Sequence, residues 1–194
     1  MNTFDIKFVE VGSDFNHSHL SGFIKVYKEA FSQPPYNETY SDEEVNTDVW
    51  TPHLKDGCII LALENEQVVG LGCTISMDKW EHDPEFQAFI EVNRSKLPND
   101  DLSKICWMSE VAVLPTHWRR GIGTKLAETR IAWGKKNNFT HFMLRTAKKG
   151  SNSIKMWQNL SGKVIEGLIQ DVSTHAKEVN SQSTERVYIS GIIK

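Results

Sequence analysis

The stretch Met108-Ser109-Glu110-Val111-Ala112-Val113-Leu114-Pro115-Thr116-His117-Trp118-Arg119-Arg120-Gly121-Ile122-Gly123-Thr124-Lys125-Leu126 changes character twice. Its first part is apolar and β-branched and stops at Pro115, the pattern of a strand closed by a residue that cannot extend the ladder. From Gly121 the apolar residues recur at helical spacing, through Leu126, Ala127, Ile131 and Trp133, to about Lys136. Between the two lies a basic, glycine-bearing turn. Gly121 and Gly123 remove Cβ atoms where the chain must bend sharply, so an anion can approach the amides. The first helical turn leaves several N–H groups without intrahelical partners at the positive end of the helix dipole, and Arg119 and Arg120 add charge. Together these features make a seat for a pyrophosphate. Taken alone, Gly-x-Gly after two arginines reads equally well as a tight turn with solvated side chains. The lysine and serine of a Walker A loop are missing, as is the third glycine of a dinucleotide fingerprint, and the turn follows the fourth predicted strand rather than the first.

Outward from this stretch the chain alternates between the two periods. Upstream, Phe4, Ile6, Phe8 and Val11 predict a strand, and Ser18 to Phe31 an amphipathic helix carrying Leu20, Phe23, Val26, Tyr27 and Phe31 on one stripe. Pro34-Pro35 ends that helix. Ser41, followed by Asp42, Glu43 and Glu44, starts another, predicted to run to about Leu54 and stop at Gly57. Cys58–Leu63 and Val68–Met77 form a hairpin around a turn at Glu64–Gln67. The polar stretch from Lys79 to Lys104 has a helical patch at Phe86, Phe89, Ile90 and Val92, and is expected as an insertion on the sheet edge. Downstream, His141–Arg145 is a strand, and Ser151 or Asn152 caps a helix bearing Ile154, Met156, Trp157 and Leu160. Val164–Ile169 and Arg186–Ile193 are the last strands, joined by the polar segment Ser173–Thr184. The expected fold is α/β (α+β): one domain over 1–194, with an insertion at about 79–104, built on a mixed, mostly antiparallel sheet of about seven strands with helices on both faces.

Composition narrows the function. Lys and Arg number 22 against 25 Asp and Glu, a formal charge of -3, which argues against a polyanion as the main partner. Cys58, Cys73 and Cys106 lie in apolar runs without metal-type spacing, as suits a reducing cytoplasm. The alternating N-terminus does not read as a secretory signal, and the longest apolar run, Cys58–Leu63, is too short to span a bilayer. The seven histidines are scattered without metal spacing, so no metal is expected. Neither Ser109 nor Ser151 sits in a nucleophile elbow.

The whole central segment resembles motif A of the Gcn5-related N-acetyltransferase (GNAT) superfamily, in which a hydrophobic-x-Val-x-Pro strand leads into Arg/Gln-x-x-Gly-x-Gly/Ala at the head of a helix. Val111-Ala112-Val113-Leu114-Pro115 matches the strand and Trp118-Arg119-Arg120-Gly121-Ile122-Gly123 the loop, with Trp118 where Arg or Gln is usual. The resemblance implies splayed central strands, with the pantetheine arm of acetyl-CoA bonded to the backbone of Val111 and Val113. It also implies a pyrophosphate held by the amides of Arg119, Arg120, Gly121, Ile122, Gly123 and Thr124. Asn152 matches loosely the asparagine that the family often places on the next helix. The tyrosine expected beyond it reads here as Trp157, and an indole gives up no proton near neutral pH, so the general acid is not visible. The expected reaction is acetyl transfer from acetyl-CoA to a primary amine by direct attack in a ternary complex; an acyl-CoA sensor without turnover is the alternative.

Glu110 is the base candidate. It is a lone acid in an apolar strand, costly to bury without purpose, and alternation sets it opposite Val111 and Val113, alongside Met108 and Ala112. Its carboxylate could instead reach the sheet edge or pair with an arginine. Tyr36, Glu38 and Tyr40 form an aromatic–acid cluster suited to a cationic acceptor; a solvated loop is the other reading. The partner expected is a small-molecule amine rather than a protein, with a homodimer allowed and neither nucleic acid nor membrane involved.

Overall fold

The computed structural model describes residues 5–12, 19–80, 83–172 and 185–194. Seven strands form one sheet in the order β1-β2-β3-β4-β5-β7-β6. They are β1 (Ile6–Val11), β2 (Gly57–Glu64), β3 (Gln67–Ser76), β4 (Ile105–Val113), β5 (His141–Ala147), β6 (Lys163–Asp171) and β7 (Glu185–Ile192). All neighbouring pairs are antiparallel except β4 and β5, which run parallel. That single parallel pair is joined by the crossover helix α5 (Ile122–Lys136), as a parallel connection requires.

Helices cover both faces. α5 lies over the face of Gly70 and Gly72: a Cβ at Gly72 would come within 2.9 Å of Arg130 Nε, so close packing of helix on strand demands glycine there. α6 (Ser153–Asn159) joins α5 on this side through a cluster of Met108, Ala127, Leu144 and Trp157. On the opposite face, α1 (Leu20–Phe31) packs Phe23, Val26 and Tyr27 into a core with Trp50, Leu71 and Cys73.

A second helical run begins at Ser41, whose hydroxyl accepts from Glu44 N–H while Glu44 Oε2 accepts from Ser41 N–H, a reciprocal cap that satisfies two orphan donors. The run comprises α2 (Asp42–Glu44), a π-helical stretch (Val45–Trp50) and α3 (Thr51–Asp56), and ends as predicted at Gly57.

α4 (Pro84–Val92), capped by Asp83, occupies the polar stretch between β3 and β4. It was expected on the sheet edge, but its Phe86 packs against Trp107 of β4 and Tyr188 of β7, so it covers the sheet's face. The apolar residues of the patch explain this: Phe86 and Ile90 are buried, and a face offers them a partner surface that an edge does not.

Candidate active site

β4 and β5 pair only over Ile105↔His141, Cys106↔Phe142 and Trp107↔Met143. Beyond these the strands part, β4 continuing to Val113 and β5 to Ala147. Leu114 N–H donates to Val69 O at 2.9 Å on the β3 side. Because alternate residues of an antiparallel strand turn their backbone groups to the same neighbour, Ala112 also faces β3, while Val111 and Val113 point theirs into the gap. Trp118 reaches the same gap: its indole Nε1 donates to Val113 O at 2.8 Å. The residue that departs from the expected motif thus occupies a carbonyl of the groove itself.

At the mouth of the gap stands the start of α5. Gly121 is its N-cap, with φ 80° and no side-chain cap, and the first helical bond runs from Lys125 N–H to Gly121 O. The amides of Ile122, Gly123 and Thr124 therefore have no intrahelical acceptors. A Cβ on Gly121 would meet nothing within 4 Å, so the space beside the N-cap is open. Arg119 also takes a left-handed conformation, φ 62°, and its side chain is exposed. Arg120 turns away: Nη2 bonds Glu64 Oε1 at 2.7 Å, and His117 Nε2 lies 3.0 Å from the other oxygen. These two contacts hold the Glu64 carboxyl below its usual range and tie the turn to the β2–β3 hairpin. Asn152 is the N-cap residue of α6 but makes no side-chain cap; Ser151 Oγ accepts from Ser153 N–H instead, at 3.1 Å.

On the opposite face the three sequence-predicted side chains come together. Glu38 is buried, takes a hydrogen bond from Tyr40 OH at 2.7 Å, and pairs with Arg186 Nη2 at 3.3 Å. The Arg186 guanidinium lies 5.3 Å over the ring of Tyr36, whose hydroxyl is 3.3 Å from Thr146 Oγ1 on β5. Glu110 interacts electrostatically with Glu38, Tyr40 and Arg145. Burial, then the Glu38 charge, push the Glu110 carboxyl up to about 8, against the opposing pull of Arg145 and Arg130.

Alternation breaks just before Glu110. Cys73 pairs with Glu110 but Ile75 with Trp107, so β4 carries one extra residue against β3. This bulge puts Met108 in the α5–α6 cluster and leaves Glu110 facing the other way, which corrects the expectation that the two lie side by side.

Beneath the bulge Arg130 of α5 is fully buried, its Nη1 donating to Glu110 O at 2.8 Å and to Cys73 O at 3.1 Å. Burial pushes it down to about 10. Sequence reading missed Arg130, because a cation in an amphipathic helix normally faces water; the lone signal was the glycine opposite it, Gly72. Arg145 was missed too: it donates to Gln170 Oε1 at 3.0 Å and lies 3.3 Å from Asp83 Oδ2. Arg186 likewise fell within a predicted strand without drawing notice. The polar segment Ser173–Thr184, expected to help select the acceptor, lies outside the described residues. Among the described residues, no group of three or more His, Cys, Asp and Glu is placed to hold a metal ion, and no helix is long and apolar enough to cross a membrane.

The model of the acetyltransferase (GNAT) family matches residues 23–162. Solved structures share the fold at low identity. The ribosomal-protein-S18-alanine N-acetyltransferase of Escherichia coli superposes with a TM-score of 0.65 at 12% identity, over 98% of this chain and 95% of its own. An N-acetyltransferase from Staphylococcus aureus gives 0.68 at 13%, over 98% and 99%. A Bacillus subtilis acetyltransferase in complex with CoA gives 0.61 at 12%, over 98% and 100%. No curated sequence relative matches.

Proposed function

This chain belongs to the acetyltransferase (GNAT) family, and from that premise we propose that it transfers an acetyl group from acetyl-CoA to a primary amine on a small molecule, by direct attack in a ternary complex. The observation that carries the reading is the gap itself. β4 and β5 separate after Trp107↔Met143, two β4 residues aim backbone groups into the opening, and uncapped helix amides wait at its mouth. The pantetheine arm fits the gap like an added strand, on Val111 and Val113. The amides of Ile122, Gly123 and Thr124, reached over Gly121, suit the pyrophosphate, with Arg119 in reach and the Arg120 side chain committed to Glu64. Asn152, exposed at the start of α6, is a further candidate contact for the cofactor.

On the acceptor side Glu110 serves as base. An alkylammonium has a pKa of about 10.4, so its proton must be removed before it can attack. A carboxylate raised to about 8 is matched to that task. Tyr36 and Glu38 shape the wall that receives the amine. Holding the two reactants together supplies up to about 7–11 kcal/mol, more than the base does. A groove amide, that of Val111, would polarise the thioester carbonyl.

A second reading, an acyl-CoA sensor, draws on Trp157, which is fully buried against Phe142 where an acid would be wanted, and on Trp118 in the groove. Calorimetric titration with acetyl-CoA, paired with thiol release across a panel of amines, separates the two. Binding with amine-dependent thiol release supports the transferase; binding without it supports the sensor; no binding removes both. The three buried free cysteines agree with a reducing, cytoplasmic setting.

A further inference from the structure

Ser109 lies at the bulge of β4, two residues past the last β4–β5 pair and next to Glu110. Its Oγ is 2.6 Å from His53 Nε2. His53 comes from α3, at the end of the helical run that contains the π-helical stretch, a distortion that often accompanies functional positions. The ring is fully buried, with the Trp80 ring tilted against it at 5.2 Å, and its Nδ1 is 2.6 Å from Val49 O. A carbonyl only accepts, so Nδ1 carries the hydrogen. In the neutral ring Nε2 is then bare and accepts the Ser109 hydroxyl proton. Ser109 is only partly buried, and it sits on the stretch of β4 that has already left β5. Backbone carbonyl, imidazole and hydroxyl thus form an oriented chain, the arrangement that lets a histidine move protons through a serine.

We infer that Ser109 and His53 form a proton relay that takes the proton released by the attacking amine and returns it to the departing CoA thiolate. The inference rests on the acetyltransferase reading above and supplies the acid that the sequence lacks at Trp157. As the amine nitrogen bonds to the thioester carbon, its proton passes to Ser109 Oγ while the serine proton passes to His53 Nε2. The imidazolium keeps its Nδ1 hydrogen on Val49 O. When the carbon–sulfur bond breaks, His53 returns a proton to Ser109 and the serine proton goes to sulfur. Amide and CoA thiol leave, and the neutral pair is restored. Ser109 never becomes acylated. Glu110, the neighbouring residue, takes the ammonium proton before attack, and the relay carries the second proton, released as the carbon–nitrogen bond forms.

The test is thiol release from acetyl-CoA with the fastest amine of the panel and, because water is always present as an acceptor, with acetyl-CoA alone. Ser109→Ala and His53→Gln should each lower turnover about 100-fold, with acetyl-CoA affinity by calorimetry within about twofold of wild type. Ser109→Thr, which keeps a hydroxyl, should stay within about fivefold of wild type. The solvent deuterium effect on turnover should vanish in Ser109→Ala, which a purely structural role would not cause. Turnover in Ser109→Ala within about twofold of wild type, or an acetyl adduct on Ser109 by intact mass, would overturn the relay. If His53→Gln fails to fold, the part-exposed Ser109 variants decide alone. Failure of wild type to bind acetyl-CoA would instead bring down the underlying reading.

Discussion

The two sides of the sheet at the β4 bulge are built by different means. The α5 side is made of backbone: a strand that loses its neighbour, a glycine at φ 80°, and helix amides without acceptors, all within one contiguous segment. The α1 side is made of side chains from across the chain. Glu38, His53, Ser109, Glu110, Arg145 and Arg186 come from five different elements or loops and meet only when the sheet closes. A site made of local backbone is fixed by local sequence and tolerates most side-chain change. A site made of distant side chains depends on each partner and is tuned by their charges.

That contrast predicts where single changes bite hardest. On the backbone side, Gly121→Val places a β-branched residue at positive φ, costing about 1–2 kcal/mol of backbone strain, and sets its methyls over the amides. Acetyl-CoA affinity should fall about 100-fold by calorimetry, more than for any single side-chain truncation around the same turn.

On the side-chain side, Glu110→Gln should lower kcat/KM about 100-fold while leaving acetyl-CoA binding intact. In wild type kcat/KM should rise with pH through about 8, and this limb should disappear in the variant. Stability gives an independent reading. The native carboxyl holds its proton more tightly than the unfolded chain, whose value is near 4.5, so wild type loses stability as pH rises from about 4.5 to about 8. The Gln variant should therefore melt above wild type at pH near 9, with the difference shrinking toward pH 5.

Glu38→Gln sharpens the same point. It removes the carboxylate from Arg186, only 6% exposed, and should cost about 3 kcal/mol in denaturant unfolding. It also removes the charge that helps to raise Glu110, so the pH limb should move below about 8. Smallest is Trp118→Phe, which frees the Val113 carbonyl at a cost of about 1 kcal/mol of local hydrogen bonding. If that carbonyl is wanted by the pantetheine arm, acetyl-CoA should bind up to about fivefold tighter in the variant.

The same contrast explains what was legible in the sequence. The order of strands and helices followed from periodicity and from punctuation at Pro34-Pro35, Ser41, Gly57 and Pro115. The uncapped helix start at Gly121 followed from glycines and helix polarity, which are properties of neighbouring residues. Glu110, Glu38 and Tyr36 stood out as charged or aromatic residues in unusual company, yet nothing in the chain said that they would face one another. The bulge that turns Met108 away from Glu110 arises from register between strands, which a single strand does not encode. Ser109 lacks a nucleophile elbow and His53 is one of several scattered histidines; their 2.6 Å contact joins residues far apart in sequence, so neither announces the other. α4 was expected at an edge because its patch was read without the face it would cover.

Residue-resolved amide exchange with and without CoA tests the central claim most directly. CoA should protect the amides of Val111, Val113, Ile122, Gly123 and Thr124, leaving those of Ala112 and Leu114, already turned toward β3, unchanged. Protection confined to other segments, or none at those five at saturating CoA, would contradict a groove formed by the parting of β4 from β5.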